Sequence, residues 1–197
     1  MSQPQRTQQW APVISVAVIV LLSACTARQP TVVEELDEFT AASITYSQTP
    51  VVMSPDRVFA EPSERPYVDI GAIEVNHNRV RQYYLWLGIW DINDTKGTDK
   101  LEEFESIVLI ADGQELPLDV HGWTHEVISS SKPVYKKLFA EAVDAYYQVS
   151  LEQVRLFAKA DRIELRTTGS APREFVPWYR EKEAKSDLAE FLRRILE

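Results

Sequence analysis

The sequence predicts an α+β or mainly β fold, in which an antiparallel, sandwich-like sheet carries one inserted helix near 150–160 and a C-terminal helix near 186–196. Short runs rich in Val, Ile, Tyr and Trp, bounded by turn residues, recur along most of the chain. Two of these runs flank Asp112-Gly113, a dipeptide typical of a two-residue hairpin. The clear helical patterns come late in the chain, so strands dominate the predicted architecture.

Three extended segments are predicted first, at 44–53, 67–75 and 80–92. In 67–75 the apolar positions change parity near Gly71, and a β-bulge there would account for the change. Within 80–92, both parities are apolar from Tyr83 to Trp90 apart from Gly88. That pattern predicts a central strand covered on both faces.

A hairpin is predicted from 107–111 and 116–120, with Asp112-Gly113 as a type I′ turn in which both central residues need positive φ. Pro117 has no N–H to donate to a ladder, which places the second arm at a sheet edge.

A loop is predicted at 121–131. The pattern of the segment 134–149 fits either a helix or a strand. Positions 135, 138, 139, 142 and 146 fit a helix, whereas 143, 145, 147 and 149 fit a strand. We favour a strand for the last part, because Tyr-Tyr-Gln-Val is rich in strand formers.

Ser150 and Gln153 form a capping-box pattern and predict a helix that runs to Ala160. A strand at 163–167, a turn at 169–172 and a short extended piece at 175–178 are predicted to follow. In the C-terminal helix the apolar residues recur at i, i+3, i+4, i+7 and i+8, with Ser186 as the predicted cap. These apolar residues are Leu188, Phe191, Leu192, Ile195 and Leu196.

The N-terminus has the layout of a secretory signal peptide, because the apolar run 11–22 follows a polar stretch whose only charge is Arg6. A spanning helix needs roughly 20 apolar residues, and this run is too short. The run ends in Leu22-Ser23-Ala24-Cys25, which resembles the lipobox of bacterial lipoproteins. The resemblance implies cleavage before Cys25, a diacylglycerol on its thiol and often a further acyl chain, such as palmitate, on the new amino group.

This resemblance sets the predicted organisation: a signal peptide at 1–24, a lipidated tether at 25–41 and one globular domain at 42–197. The membrane is then a partner through the lipid on Cys25, since two or three acyl chains anchor a protein stably. In enterobacterial lipoproteins, an Asp after the lipidated cysteine tends to retain the protein at the inner membrane. Thr26 stands at this position, so the resemblance favours the periplasmic face of the outer membrane, with the inner membrane as the alternative.

Charge and cysteine content exclude several kinds of site. The net charge of −9 falls to −10 when residues 1–24 are removed, because this segment contains Arg6 and no acid. An acidic domain argues against nucleic-acid binding. Cys25 is the only cysteine, so its lipidation would leave no thiol for a disulfide, a zinc site or a nucleophile. We predict no cofactor.

The candidate metal site consists of His121 and His125, with Asp119 just before them. Two histidines four apart on a helix can share a zinc ion. Gly122 and the neighbouring hairpin argue against a helix here, so the main interpretation is a polar loop. The alternative is a cell-wall hydrolase or a metal-binding protein that uses this loop.

The aromatic strand 83–90 offers a second candidate, because aromatic faces stack on sugars and anchor interfaces. Trp86 and Trp90 are its speculative binding residues, for a glycan or a peptide, and they require an open groove. Such a strand is more often core. The end of the segment with Trp178 and Tyr179 is the part that could be exposed beside the last helix.

The sequence therefore predicts a non-enzymatic, membrane-tethered envelope lipoprotein that binds or scaffolds an envelope protein or a cell-wall partner. The metal-loop enzyme and the aromatic-strand binder are the two alternatives.

Overall fold

The computed structural model of the chain describes residues 31–55, 66–91, 102–137, 139–169 and 172–197, and these contain ten strands and two α-helices. The strands are β1 Val32–Asp37, β2 Ala42–Ser47, β3 Val51–Pro55, β4 Pro66–His77, β5 Val80–Asp91, β6 Ser106–Ala111, β7 Gln114–Asp119, β8 Val143–Val149, β9 Ile163–Thr167 and β10 Glu174–Tyr179. The helices are α1 Leu151–Lys159 and α2 Glu181–Ile195. The predicted α+β or mainly β antiparallel architecture is confirmed.

The strands form one antiparallel sheet that curls back on itself. β4 pairs with β5 along one side, while β2 and β3 share its other side. From β3 the sheet continues through β10, β9, β6 and β7, and from β5 it continues to β8. A bridge between Gly122 and Tyr146 joins the chain after β7 to β8, with the N–H of His121 donating to the carbonyl of Tyr146 at 2.7 Å.

The main core lies on the concave side of this curled sheet. Alternate residues of eight strands meet there, and both helices add side chains to it. Phe157 of α1 and Phe191 of α2 are fully buried in this cluster. Burying one such large apolar side chain contributes about 1.5–3 kcal/mol.

The convex face of β4, β5 and β8 is also covered, mainly by the segment 127–135. Tyr135 lies against Gly71, where an added methyl group would overlap the Tyr135 ring. The predicted bulge at Gly71 is wrong, because the pairing of β4 with β5 is unbroken from Pro66 to His77. The apolar parity changes because both faces of β4 are buried.

Several local predictions are confirmed. β5 is central, between β4 and β8. The 106–119 hairpin turns at Asp112 and Gly113, with φ of 51° and 82°. The segment 134–149 ends in a strand, β8. The predicted strand 44–53 is divided in two, β2 and β3, by a bend at 48–49.

The predicted start of α1 is confirmed, whereas the predicted start of α2 is wrong. In α1 the capping box is present, with Gln153 N–H donating to Ser150 Oγ at 3.2 Å and Ser150 N–H donating to Gln153 Oε1 at 2.8 Å. The prediction that Ser186 caps α2 is wrong, because α2 begins at Glu181 after Arg180. Residues 181–185 are Glu, Lys and Ala, which are strong helix formers, so the helix extends back through them.

The predicted tether is too long at its C-terminal end, because β1 occupies Val32–Asp37 and pairs with β2. Its acids have partners distant in sequence: Glu34 pairs with Arg194 at 2.7 Å, and Glu35 pairs with Lys132 at 3.0 Å. The predicted signal peptide at 1–24 and the predicted lipidation site, Cys25, lie outside the described residues. Among those residues, no helix is both long enough and apolar enough to span a membrane.

Candidate functional site

The predicted metal loop is a loop in the structure, apart from a 3₁₀ turn at His125–Ile128. Asp119 Oδ1 accepts a hydrogen bond from Ser106 Oγ at 2.5 Å, and the His121 ring lies 5.7 Å from that of Tyr84. His125 Nε2 is 3.6 Å from Glu126 Oε1. Within the described ranges, no three His, Cys, Asp or Glu side chains are grouped so that they could hold a metal ion.

Trp86 and Trp90 do not form the predicted open groove, because only 2% and 9% of their surfaces are exposed. The Trp86 indole stacks on Tyr135 with ring centroids 4.4 Å apart, and its Nε1 donates to Asp144 Oδ1 at 3.0 Å. Trp86 is therefore a core residue. Trp90 belongs to a different aromatic cluster, which does reach the surface.

We call this cluster the aromatic strip, and its five residues are Phe139, Trp90, Tyr67, Trp178 and Tyr179. Tyr67 stacks on Trp90 at 4.4 Å and contacts Trp178 at 5.1 Å. At one end of the strip, the ring centroid of Phe139 is 5.3 Å from that of Trp90. At the other end, the ring centroid of Tyr179 is 5.9 Å from that of Trp178. The middle is buried, whereas Trp178 and Tyr179 are 59% and 56% exposed.

A β-bulge in β10 places Trp178 on this surface. Pro177 pairs with Met53 and Tyr179 pairs with Val52, so Trp178 is an extra residue in the ladder. A bulge of this kind turns a side chain away from the regular alternation. The expectation that this end of the segment is exposed beside the last helix is confirmed, because Trp178 and Tyr179 are both more than half exposed.

A row of directly paired residues crosses the same face of the sheet beside the strip. Tyr179 is opposite Val52, Val52 is opposite Asp69, Asp69 is opposite Gly88, and Gly88 is opposite Asp144. Directly opposed residues of antiparallel strands project from the same face. The row therefore places two carboxylates on this face, on either side of Gly88.

These two carboxylates have different surroundings. Asp144 accepts a hydrogen bond from Trp86 and forms an ion pair with Lys137 Nζ at 3.0 Å. Asp69 is only 5% exposed, and among the described residues its Oδ1 has no hydrogen-bond partner. Nε1 of Trp90 also has no hydrogen-bond partner in the described part of the chain.

Burial raises the pKa of Asp69 to about 6. The Trp90 indole is close enough to lower this pKa in part, although its geometry does not complete a hydrogen bond. Burying a carboxylate oxygen without a hydrogen bond is costly to the fold. Groups whose pKa values are shifted by burial are concentrated at functional sites.

The site thus combines stacking surfaces with one acceptor, Asp69 Oδ1, and one donor, Trp90 Nε1, for which the described residues supply no hydrogen bond. Large aromatic side chains bury about 150–250 Å² each in cores and interfaces, and here Trp178 and Tyr179 leave more than half of their surfaces exposed. Trp90, Trp178 and Tyr179 could be noted from the sequence, whereas Tyr67, Asp69 and Phe139 were not predicted as site residues. One signal for Asp69 was available, because it is the only acid among the residues from Val68 to Ile73.

Comparisons of the chain with protein-family models, with curated proteins and with solved structures gave no match.

Proposed function

We propose that this chain is a lipid-anchored envelope lipoprotein whose domain binds an envelope component through the aromatic strip. Anchoring is supported by Leu22-Ser23-Ala24-Cys25. Thr26 favours the periplasmic face of the outer membrane. The proposed role is binding or scaffolding, without catalysis.

The short tether supports a function close to the membrane. β1 begins at Val32, so residues 26–31 alone separate the proposed lipid site from the sheet. At about 3.3–3.6 Å per fully extended residue, six residues can reach at most about 20 Å. The domain is then held beside the bilayer surface, where a ligand in the cell envelope is within reach.

The observation that carries the binding proposal is the exposure of Trp178 and Tyr179 at the end of a continuous ring cluster. Buried aromatic residues need no ligand, but two adjacent large rings that are more than half exposed leave a substantial apolar surface in water. Aromatic residues in this position are the typical anchors of a binding surface.

Fractionation of cells that make the Cys25→Ala variant tests the anchor. We expect the unchanged chain in the outer-membrane fraction and the variant released from membranes, because the variant lacks the lipid. An unchanged chain that lacks the lipid modification, or a Cys25→Ala variant that stays in the membrane, would contradict the anchoring proposal.

Photo-crosslinking in cells tests the binding surface. A photoreactive phenylalanine analogue replaces Tyr179 in one strain and Phe39, which is 91% exposed in the β1–β2 turn, in another. We expect a crosslinked species from position 179 and none from position 39. Equal crosslinking from both positions, or none from position 179, would contradict a specific role for the aromatic strip.

A further inference from the structure

We infer that the exposed end of the aromatic strip contacts the lipid bilayer itself, with Trp178 and Tyr179 in the headgroup region of the membrane that holds the anchor. This inference rests on the proposed function and names the envelope component as a zwitterionic lipid surface. It follows from the types of the exposed rings, from the place where the tether leaves the sheet and from the charges beside the rings.

The two residues at the exposed end of the strip have the chemistry of a membrane–water interface. Trp178 and Tyr179 are adjacent in β10, and both are more than half exposed. Each combines a large apolar ring with one polar group, and tryptophan and tyrosine are the residues enriched where a membrane meets water. At that depth the rings leave bulk water, while the indole N–H and the phenol O–H remain hydrated.

The tether leaves the sheet on the same side of the domain as these rings. The carbonyl of Thr31 accepts a hydrogen bond from the N–H of Gln48 at 2.9 Å, so the tether emerges beside Gln48. Tyr179 is opposite Val52, which is four residues further along that segment. Four extended residues span at most about 14 Å, and neighbouring strands are about 4.8 Å apart. Thr31 and Tyr179 therefore lie within about 25 Å of each other.

The length of the tether allows the rings to reach the bilayer while the acyl chains stay inserted. With a lipid on Cys25, residues 26–31 hold the start of β1 within about 20 Å of the membrane surface. This distance is no greater than the separation of Thr31 from Tyr179. Because the anchor keeps the rings at a high effective concentration beside the bilayer, a weak contact is enough to orient the domain.

The charges beside the rings favour a zwitterionic lipid surface over an anionic one. Next to Tyr179, Arg180 forms an ion pair with Glu183, and near Phe139, Lys137 is paired with Asp144. These cations are therefore compensated within the domain. The chain as a whole has a net charge of −9, which anionic headgroups would repel. The contact with the membrane then depends on the rings.

The test is tryptophan fluorescence of the full chain, purified from membranes and reconstituted into phosphatidylcholine vesicles. Bromine atoms on the acyl chains quench any indole that they contact, and vesicles without bromine give the reference. Among the tryptophans of the described residues, Trp178 alone is more than half exposed. We expect bromine to quench a component of the emission that is lost in Trp178→Phe. Phe39→Trp is the matched control, and the added indole at position 39 should stay unquenched.

Thermal unfolding of each variant shows whether it is folded in the vesicles. Equal quenching of the unchanged chain and Trp178→Phe, or equal quenching of the indoles at positions 39 and 178, would overturn the assignment of the strip to the bilayer. Capture of a protein from position 179, with Trp178 unquenched, would overturn this inference and leave the proposed function in place. A chain that does not enter the vesicles would contradict the anchor and overturn both.

Discussion

Replacing Asp69 with Asn should stabilise the protein above pH 6. The carboxylate is buried, and its pKa is raised from 3.8 to about 6. A raised acid pKa means that the folded state holds its proton more tightly than the unfolded state does. The cost of the ionised group is therefore fully present above about pH 6 and is relieved as the pH falls from 6 towards 3.8.

The size of this effect follows from the two pKa values. Each pKa difference of one corresponds to 1.36 kcal/mol, so the difference between about 6 and 3.8 gives ~3 kcal/mol as an upper value. An amide has nearly the same shape and does not ionise. At about pH 8 we expect the free energy of unfolding of Asp69→Asn to exceed that of the unchanged chain by up to ~3 kcal/mol.

Urea unfolding followed by tryptophan fluorescence, repeated between about pH 4 and pH 8, measures the free energy of unfolding of each chain and its dependence on pH. Asp144→Asn is the matched control, because Asp144 lies on the same face but is paired with Lys137 and with Trp86. This control should be less stable than the unchanged chain. An Asp69→Asn variant that is less stable at about pH 8, or that keeps the full pH dependence, would refute the reasoning.

Three further predictions concern the fold. Gly71→Ala should lower the free energy of unfolding by about 1–3 kcal/mol, because the new methyl group would overlap the Tyr135 ring. Denaturant titration measures this change, and an unchanged unfolding midpoint would contradict the packing described for Tyr135. Ser150→Ala should cost about 1 kcal/mol in the same assay, because it removes the acceptor for the Gln153 N–H; a neutral result would mean that the capping box contributes nothing. Asp37→Asn should lower the melting temperature at neutral pH. The Asp37 carboxylate accepts hydrogen bonds from the backbone N–H groups of Ser131, Phe39 and Thr40, and these bonds lower its pKa to about 2. The stabilisation by this carboxylate is present above pH 3.8 and disappears towards pH 2, so melting curves of variant and unchanged chain should converge on acidification.

Local chemistry in the sequence predicted local structure well. Asp112-Gly113 determines the hairpin turn because both residues adopt positive φ. Ser150 and Gln153 determine the start of α1 because each side chain satisfies a backbone N–H of the other. These features depend on residues within a few positions of each other, so one sequence is enough to find them.

Features that depend on distant contacts were missed. The acidic residues of β1 gave this segment the composition of a solvated tether. In the structure, two of them form ion pairs with Arg194 and Lys132. The change of parity at Gly71 suggested a bulge because nothing in the local sequence indicates that Tyr135 packs there. In both cases the partner is far along the chain, and the sequence pattern alone does not specify it.

The candidate site was predictable only in part. The aromatic content of β5 indicated Trp86 and Trp90 as candidate binding residues. Periodicity does not show which part of the outer face of the sheet is covered by other segments of the chain. Trp86 is covered by Tyr135, whereas Trp90 continues into rings from β4 and β10. The position of Asp69 beside this cluster depends on strand register, which the sequence did not specify.

Hydroxyl-radical footprinting of the chain in isolated native envelopes, compared with the purified chain in detergent, tests the central claim most directly. Trp178, Tyr179 and Phe39 are all more than half exposed, so each should be oxidised in the purified chain. If the aromatic strip is the binding surface, Trp178 and Tyr179 should be protected in envelopes while Phe39, as the internal reference, stays reactive. Equal oxidation of Trp178 and Tyr179 in both preparations would contradict the account.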